Sequence, residues 1–312
     1  MIEMTGKYRS FSISDFWRNL IPLLLIGGMI IAFGIMRPSY LSVGNILNLL
    51  TEFSMVGLVS IGMAIVISAG HVDLSVGHIA GIAAVISSLL MVNYGFSEVL
   101  SILLGIAIGV IFGILNGLLV AFLGVSSFIA SLGTMFILIG IRYWITGGAT
   151  IMCLPHDFTK LGKMPLPLLF LGVVALFATL LMDFSPMGRK LYMIGDNITA
   201  TELCGVRIRK YTFLIFVLSA IFSTFAGEIL AARQGLANVD IGDRFMMEAF
   251  IGAYLGRIMF GDRKVVIGAI LGSALLVFLI GGLTILGVDP SWLNFIKGTV
   301  FLGALISGLM RR

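Results

Sequence analysis

The sequence predicts an all-α fold: a polytopic bundle of about ten transmembrane helices that forms a single domain over residues 1–312. Of its residues, 59% are hydrophobic and only 11% are charged, whereas soluble domains average roughly 45–50% apolar and about 25% charged residues. Mean hydropathy is +1.12. Apolar runs of about 20 residues, enough to cross a hydrocarbon core, recur along the chain. These features exclude a soluble globular class.

The apolar runs follow a polar N-terminal segment. Residues 1–19 carry Lys7, Arg9 and Arg18, and no small-residue cleavage site follows a short apolar core. We interpret this segment as a retained cytoplasmic N-terminus and not as a signal peptide. The short run at 246–260 is either a crossing or a re-entrant segment. The predicted spans are 20–36, 46–70, 75–92, 98–123, 126–145, 165–182, 212–231, 246–260, 265–286 and 294–310.

The distribution of basic residues predicts the orientation. With the N-terminus inside, thirteen Lys and Arg fall in cytoplasmic segments and five in outer segments, and adding Arg142 and Lys297 to the outer side keeps the bias. Ten spans also place Arg311 and Arg312 inside. The formal net charge of +5 therefore reflects topology, and we expect membrane lipid rather than nucleic acid as a partner.

A weak internal repeat suggests two halves of inverted topology. Asn116-Gly-Leu, Leu123-Gly-Val and Gly133-Thr-x-Phe recur in order as Gly281-Gly-Leu, Leu286-Gly-Val and Gly298-Thr-x-Phe. The first copy joins two predicted spans inside and the second joins two outside, as inverted repeats require. Chance matching between helices rich in Gly and Leu is the alternative.

A charged segment, residues 188–211, stands out within the apolar sequence; we call it the island. It carries five Lys and Arg and lies in the predicted cytoplasmic loop 183–211. Asp196, Asn197 or Thr199 is suited to cap a short helix, Thr199 and Glu202 have capping-box spacing, and Gly205 suits its end. We predict one helix over roughly 197–204 that docks on a soluble partner.

Polar residues interrupt the apolar runs at 71–78, with His71, Asp73, Ser75, Gly77 and His78 in sequence. One interpretation is a broken helix beside a solute path, in which Asp73 or Ser75 caps the next helix. The other is a plain helix connection near the cytoplasmic face. The two histidines are seven residues apart and are able to share a helical face.

Two further sites are weighed from the residues alone. Glu228 either faces a polar vestibule or reaches the outer interface. Cys153, His156 and Asp157 lie in a loop with Pro155, and we interpret them as a surface loop rather than a metal site. No metal site is predicted.

Three ordered segments carry a family resemblance. GMAIVISAGHVDLSVGHIAG (62–81) resembles the Gly-x-Asp-Leu-Ser-Val-Gly signature of ribose-type, or sugar, permease subunits of bacterial ATP-binding-cassette (ABC) importers. GRKLYMIGDNITATELCGVR resembles that family's ATPase-coupling segment, and AARQGLANVDIGDRFMMEA (231–249) resembles its next outer loop. The resemblance covers most of residues 20–310.

The resemblance implies a multi-pass permease in the bacterial inner (cell) membrane with both termini cytoplasmic. Its partners would be a second permease subunit, as homo- or heterodimer, a cytoplasmic ABC ATPase and an extracytoplasmic solute-binding protein. The coupling residues it implies are Arg189, Gly195, Asn197, Ala200 and Gly205, with Asp196 and Thr201 at variable places, and the capping-box spacing adds Glu202. The polar residues at membrane depth, rather than the resemblance, give the predicted translocation pathway: His71, Asp73, Ser75, Gly77, Asn116 and Glu228.

The chain is not expected to be an enzyme or to bind a cofactor. It lacks the Gly-x-x-x-x-Gly-Lys-Ser/Thr phosphate loop, so ATP and Mg²⁺ are expected on the partner ATPase. His71, Glu228 and GRIMFGDRKV (256–265) depart from the family pattern and leave the solute open.

Other transport classes remain alternatives. A secondary, ion-coupled transporter would use intramembrane acids such as Asp73, Glu228, Glu248 and Glu52, but the sequence gives none of them an evident partner. Importer permeases for branched-chain amino acids or nucleosides differ only in solute, and the Asp-Leu-Ser-Val-Gly match favours sugars.

Overall fold

The computed structural model describes residues 13–261 and 264–309, with side chains from residue 20 onward except at 304, 305 and 307–309. Most of the predicted N-terminal segment 1–19, together with Arg263, Arg311 and Arg312, lies outside this part of the chain. Helices and the connections between them make up the described residues, in which the one β-type pairing is an isolated bridge between Ile151 and Ala237.

The helices follow one another through short connections. They are α1 (Ile13–Met36), α2 (Val43–Ser68), α3 (Val76–Asn93), α4 (Glu98–Ala121), α5 (Ser127–Thr146), α6 (His156–Thr159), α7 (Leu166–Thr179), α8 (Pro186–Asp196), α9 (Ile198–Leu203), α10 (Ile208–Gln234), α11 (Arg244–Phe260), α12 (Val265–Ile285) and α13 (Pro290–Leu309). Short 3-10 turns at Pro38–Leu41 and Lys160–Gly162 and a π turn at Leu180–Phe184 connect some of them.

Ten of these helices match the ten predicted spans. Within the described residues, seven are long and apolar enough to cross a membrane, and Leu20–Met36 is a shorter apolar helix. The all-α polytopic bundle is therefore confirmed. Most predicted boundaries lie within four residues of those of the helices, and the largest difference is at the first span, which begins at Ile13 rather than at 20.

The predicted span at 246–260 corresponds to α11, which runs beside the last two-thirds of α2. Its 17 residues measure roughly 25 Å at 1.5 Å per residue. Arg244 at its start pairs with Glu52, which lies nine residues after the start of α2, while Gly261 after its end lies with Ile67 and Ser68 at the end of α2. Because α11 runs parallel to α2 between these points, the geometry favours a crossing over a re-entrant segment.

A row of glycines joins α4 to α10. Gly105, Gly109, Gly113 and Gly117 recur every fourth residue and face, in order, Glu228, Thr224, Ala220 and Phe213. The order reverses along α10, so the two helices are antiparallel. Small residues at this spacing let backbones approach closely where lipid provides no hydrophobic drive for association.

The two ends of the bundle differ, and we name them by their contents. The island end carries α8, α9 and the end of α2, because Gly195 lies against Ser68. The far end carries the start of α2 and the connection between α12 and α13, because Gly281 packs against Leu49. The two matching sequence segments, 116–136 and 281–301, thus have their connections at opposite ends, which an inverted repeat requires; the repeat itself stays a prediction.

Candidate functional site

Residues 69–75, which we call break 1, interrupt the helical chain between α2 and α3. Asp73 is fully buried and organises this break. Its Oδ1 accepts the backbone N–H of Ser75 at 2.9 Å and the Ser75 hydroxyl at 2.6 Å. Its Oδ2 accepts the hydroxyl of Ser219 at 3.5 Å. The Ser75 side chain makes no capping bond to α3, so of the two predicted caps it is Asp73 that holds the chain ahead of the helix.

Break 1 continues into a buried network of neutral side chains. The Asn116 amide donates to the Ser75 hydroxyl at 2.8 Å, and the Thr134 hydroxyl donates to Asn116 Oδ1 at 2.6 Å. Asn116 lies five residues before the end of α4, and Thr134 seven residues after the start of α5. At 1.5 Å per residue these positions are roughly 8–10 Å from the island end of their helices. The break therefore penetrates the bundle, which favours the broken-helix interpretation over a connection near the face.

The two histidines do not share a helical face. His71 lies inside break 1 and outside any helix, with its ring 6.0 Å from that of Phe216. His78 lies in the first turn of α3 and is buried. The prediction of a shared face was wrong because helical periodicity does not extend across the break.

Residues 235–243, which we call break 2, connect α10 to α11 and end in an ionic cluster. Arg142 of α5 is fully buried. Its Nη1 donates to the Ile241 carbonyl at 2.9 Å. Its Nη2 lies 2.7 Å from Asp243 Oδ1 and 2.8 Å from His78 Nδ1. Arg142, which was counted with the outer side in the sequence analysis, therefore lies inside the bundle and holds break 2 in position.

The two breaks approach each other at Gly77. A Cβ on Gly77 would lie 2.7 Å from the Gly242 carbonyl oxygen and 2.9 Å from the Met246 nitrogen. A Cβ closer than 3.0 Å to another atom would force one of the two to move. Here the neighbouring atoms belong to the backbone of break 2 and α11, which does not turn aside as a flexible side chain does. Gly77 is therefore needed where the start of α3 crosses break 2.

Glu228 occupies neither of the two predicted positions. It is 3% exposed, and the Ser87 hydroxyl donates to its Oε2 at 2.7 Å. Its Oε1 has no hydrogen-bond partner among the described residues. The side chain points between α3 and α4, where Gly105 leaves room for it. The expectation of a vestibule or interface position was wrong because α3 and α4 pack against this face of α10 and cover the side chain.

The island contains two helices rather than the one predicted. α8 precedes the predicted helix, and its Ser185 cap accepts the Met187 N–H. α9 spans Ile198–Leu203, close to the predicted 197–204, and Asn197 caps it by accepting the Ala200 N–H at 2.9 Å. Asn197 rather than Asp196 or Thr199 is therefore the cap. Gly205 follows with φ +74°, the left-handed conformation typical of helix ends.

α9 projects from the bundle while its base is fixed. The buried Thr201 hydroxyl donates to the carbonyls of Met193 and Asn197, both at 2.7 Å. Leu203 is 86% exposed and Ile198 51% exposed. At the base, Gly195 lies directly against the Ser68 carbonyl, where a side chain would not fit. Arg189, Asp196, Ala200 and Glu202 are exposed on the island.

At the far end, five charged residues line a cavity of about 240 Å³, the charged cavity. Glu52 pairs with both Arg233 and Arg244. Glu248 accepts from Lys297 at 2.7 Å and lies 4.0 Å from Arg244. The expectation that these acids have no evident partner was therefore wrong.

Sequence reasoning missed Arg142, Asp243, Thr134 and the charged cavity. The sequence does contain one indication that Arg142 is important, because a lone arginine inside an apolar run needs a buried partner. The partners of Arg142 lie 64 to 101 residues away, and Arg233 lies 181 residues from Glu52. Local patterns contain no information on such pairs.

Comparison with known proteins gives consistent matches along the chain. Residues 45–305 match the family described as branched-chain amino acid transport system / permease component. The chain is 33% identical over 297 residues to the ribose import permease protein RbsC of Bacillus subtilis, covering 93% of this chain and 92% of the relative.

Two further relatives have comparable similarity. The galactose/methyl galactoside import permease protein MglC of Escherichia coli is 32% identical, covering 86% of this chain and 87% of the relative. The autoinducer 2 import system permease protein LsrC of Yersinia pseudotuberculosis is 31% identical, covering 91% and 82%. No solved structure gives a significant match.

Proposed function

This chain belongs to the branched-chain amino acid transport system permease family, and from that membership we propose that it moves a sugar or sugar-like solute into the cell as the permease subunit of an ABC importer. The family description mentions branched-chain amino acids, whereas the three relatives are named for ribose, galactose/methyl galactoside and autoinducer 2. Asp73-Leu-Ser-Val-Gly77 resembles the sugar permeases and favours a sugar.

The observation that carries the proposal is the exposed helix α9. A six-residue helix with two exposed apolar side chains at a polar end of the bundle is suited to insertion into a groove on a soluble partner. Its base contacts the end of α2 through Gly195 and Ser68. A displacement of α9 is therefore transmitted directly to the helix that leads into break 1.

The proposed partner at α9 is a cytoplasmic ABC ATPase, which supplies the ATP and Mg²⁺ site. A second permease subunit and an extracytoplasmic solute-binding protein complete the importer. The coupling residues are Arg189, Gly195, Asp196, Asn197, Ala200, Thr201, Glu202 and Gly205. Of these, Asn197, Thr201 and Gly195 act by holding α9 in place, and the exposed ones contact the ATPase.

The solute path is proposed to run beside break 1. His71, Asp73, Ser75, Gly77, Asn116 and Glu228 were predicted to border it. The buried network of Asp73, Ser75 and Asn116 acts there by setting the shape of the break, because its groups bind one another. Glu228 contributes to packing between α3, α4 and α10.

The proposed orientation places the island end in the cytoplasm of a bacterial cell, across the inner membrane. The chain offers a native test, because Cys153 and Cys204 are both exposed and lie at opposite ends. In intact cells an impermeant thiol reagent should label the Cys204→Ser variant through Cys153 and leave the Cys153→Ser variant unlabelled. Labelling of Cys204 alone would reverse the orientation.

Reconstitution tests the function itself. The permease should copurify with an ABC ATPase expressed with it, and proteoliposomes containing the complex and its solute-binding protein should take up a sugar only with ATP. Uptake that follows an ion gradient without ATP would instead establish a secondary transporter. Preferred uptake of L-leucine would identify a branched-chain amino acid importer.

A further inference from the structure

We propose that the charged cavity at the far end is a binding subsite for a neutral polyhydroxylated solute, such as a single monosaccharide. The inference rests on the proposed function, since it assigns to the permease a site for the solute that the importer moves. The subsite is separate from break 1 and from the residues predicted to form the pathway.

The cavity lies among five helices and has room for one sugar ring. Its walls come from α2, α10, α11, α12 and α13, and its volume of about 240 Å³ far exceeds the roughly 10–15 Å³ that a cavity needs to hold one water molecule. A second cavity of about 350 Å³ shares Asn48 and Arg233 with it. The two together form a polar depression at the far end.

The ion pairs leave donors available on the cavity wall. A guanidinium has five N–H donors and an ammonium has three. Arg233 and Arg244 each direct Nη1 to Glu52, and Lys297 binds Glu248 at 2.7 Å. The remaining donors match the oxygens of a polyol.

The same wall offers acceptors. Asn45 uses its amide nitrogen on the Tyr40 carbonyl, and Asn48 is an exposed member of the wall. The Glu248 side chain is only 6% exposed, and its Oε2 has no partner among the described residues. Glu248 also lines the cavity, and its Oε1 accepts from Lys297 at 2.7 Å, so a hydroxyl in the cavity meets this carboxylate as part of an ion pair.

The existing ion pairs suit a neutral solute. All three cations and both carboxylates of the wall already take part in ion pairs. A hydroxyl donates and accepts at once, so a polyol satisfies both kinds of group without separating the ion pairs. The apolar side chains of Leu49, Val56 and Leu276 on the same wall suit the C–H face of a sugar ring.

Binding to the importer complex without its solute-binding protein tests the subsite. Tritiated D-ribose, D-xylose, D-galactose and D-glucose are titrated by equilibrium binding, with L-leucine as competitor. Lys297→Met and Glu248→Gln should weaken sugar binding about tenfold or more, and Asn48→Ala, which leaves the ion pairs intact, roughly two- to tenfold.

Lys160→Met is the matched control. Lys160 is also a far-end lysine in an ion pair, 2.5 Å from Asp157, but it does not line the charged cavity, so sugar binding should be unchanged. Copurification with the ATPase verifies that each variant assembles.

The subsite would be overturned if the assembled Lys297→Met, Glu248→Gln and Asn48→Ala variants bound sugar like wild type. It would also be overturned if L-leucine competed as well as the sugars do. A third contradicting result is a wild-type complex that binds none of the sugars yet transports one. That last result would leave the proposed function intact. A complex that transports no sugar at all would refute both.

Discussion

Break 1 and break 2 each interrupt the helices and carry one organising acid, but their surroundings differ. In break 1, Asp73 accepts from a backbone N–H and from the hydroxyls of Ser75 and Ser219. In break 2, Asp243 pairs with the buried Arg142 at 2.7 Å and lies 3.0 Å from His78. The first acid is held by neutral donors and the second by the guanidinium of Arg142.

This difference indicates which break is able to move. Separating the Arg142–Asp243 pair is costly, because it leaves the fully buried guanidinium of Arg142 without its carboxylate. Hydrogen bonds to neutral groups contribute less individually and exchange more readily. Break 1 also follows directly on the contact between Ser68 and Gly195 at the base of the island. We therefore expect break 1 to respond to α9 while break 2 stays fixed.

The largest effect is expected at Arg142. Arg142→Met removes two charge-assisted hydrogen bonds, to Asp243 and to the Ile241 carbonyl, each worth about 1.5–3 kcal/mol. The purified variant should unfold at a clearly lower temperature in detergent. Arg142→Lys should recover little, since a single ammonium does not replace two nitrogens on Ile241 and Asp243. If both variants kept the thermal stability of wild type, the ion pair of Arg142 would not be what holds break 2 fixed, and the proposed difference between the two breaks would be wrong.

An intermediate effect is expected at Asp73. Asp73→Asn keeps an acceptor oxygen for the Ser75 N–H and should retain much of the uptake, whereas Asp73→Leu leaves that donor unpaired at a cost of about 1–3 kcal/mol. Uptake by the assembled complex should therefore fall strongly only with Leu. If Asn proved as inactive as Leu, the charge itself would be required and ion coupling would gain support.

The smallest effect is expected at Glu228. Glu228→Gln keeps both the shape and the acceptor for the Ser87 hydroxyl, which donates at 2.7 Å. ATP-driven uptake should stay within about twofold of wild type, a free-energy change of roughly 0.4 kcal/mol. A severe loss in this variant, with assembly intact, would mean that the acid takes part in transport.

Local signals were sufficient for much of the fold. Hydropathy located ten spans because each span is defined by its own residues, and Asn197 was among the candidate caps because it precedes its helix directly. The pairing of Glu52 with Arg233, or of Arg142 with Asp243, depends on how distant helices meet. Glu228 shows the same limit, since its burial follows from the space at Gly105 on another helix.

Cross-linking from α9 tests the central claim, that an ATPase drives this permease through that helix. In a variant with Cys153→Ser and Cys204→Ser, a cysteine introduced by Leu203→Cys should cross-link to the ATPase in the assembled complex. Met152→Cys, 59% exposed at the far end, is the matched control and should not. Strong cross-linking at 203 with none at 152 is the predicted result. An intact complex that gives no cross-link at 203, or an equal yield at 152, would contradict the account.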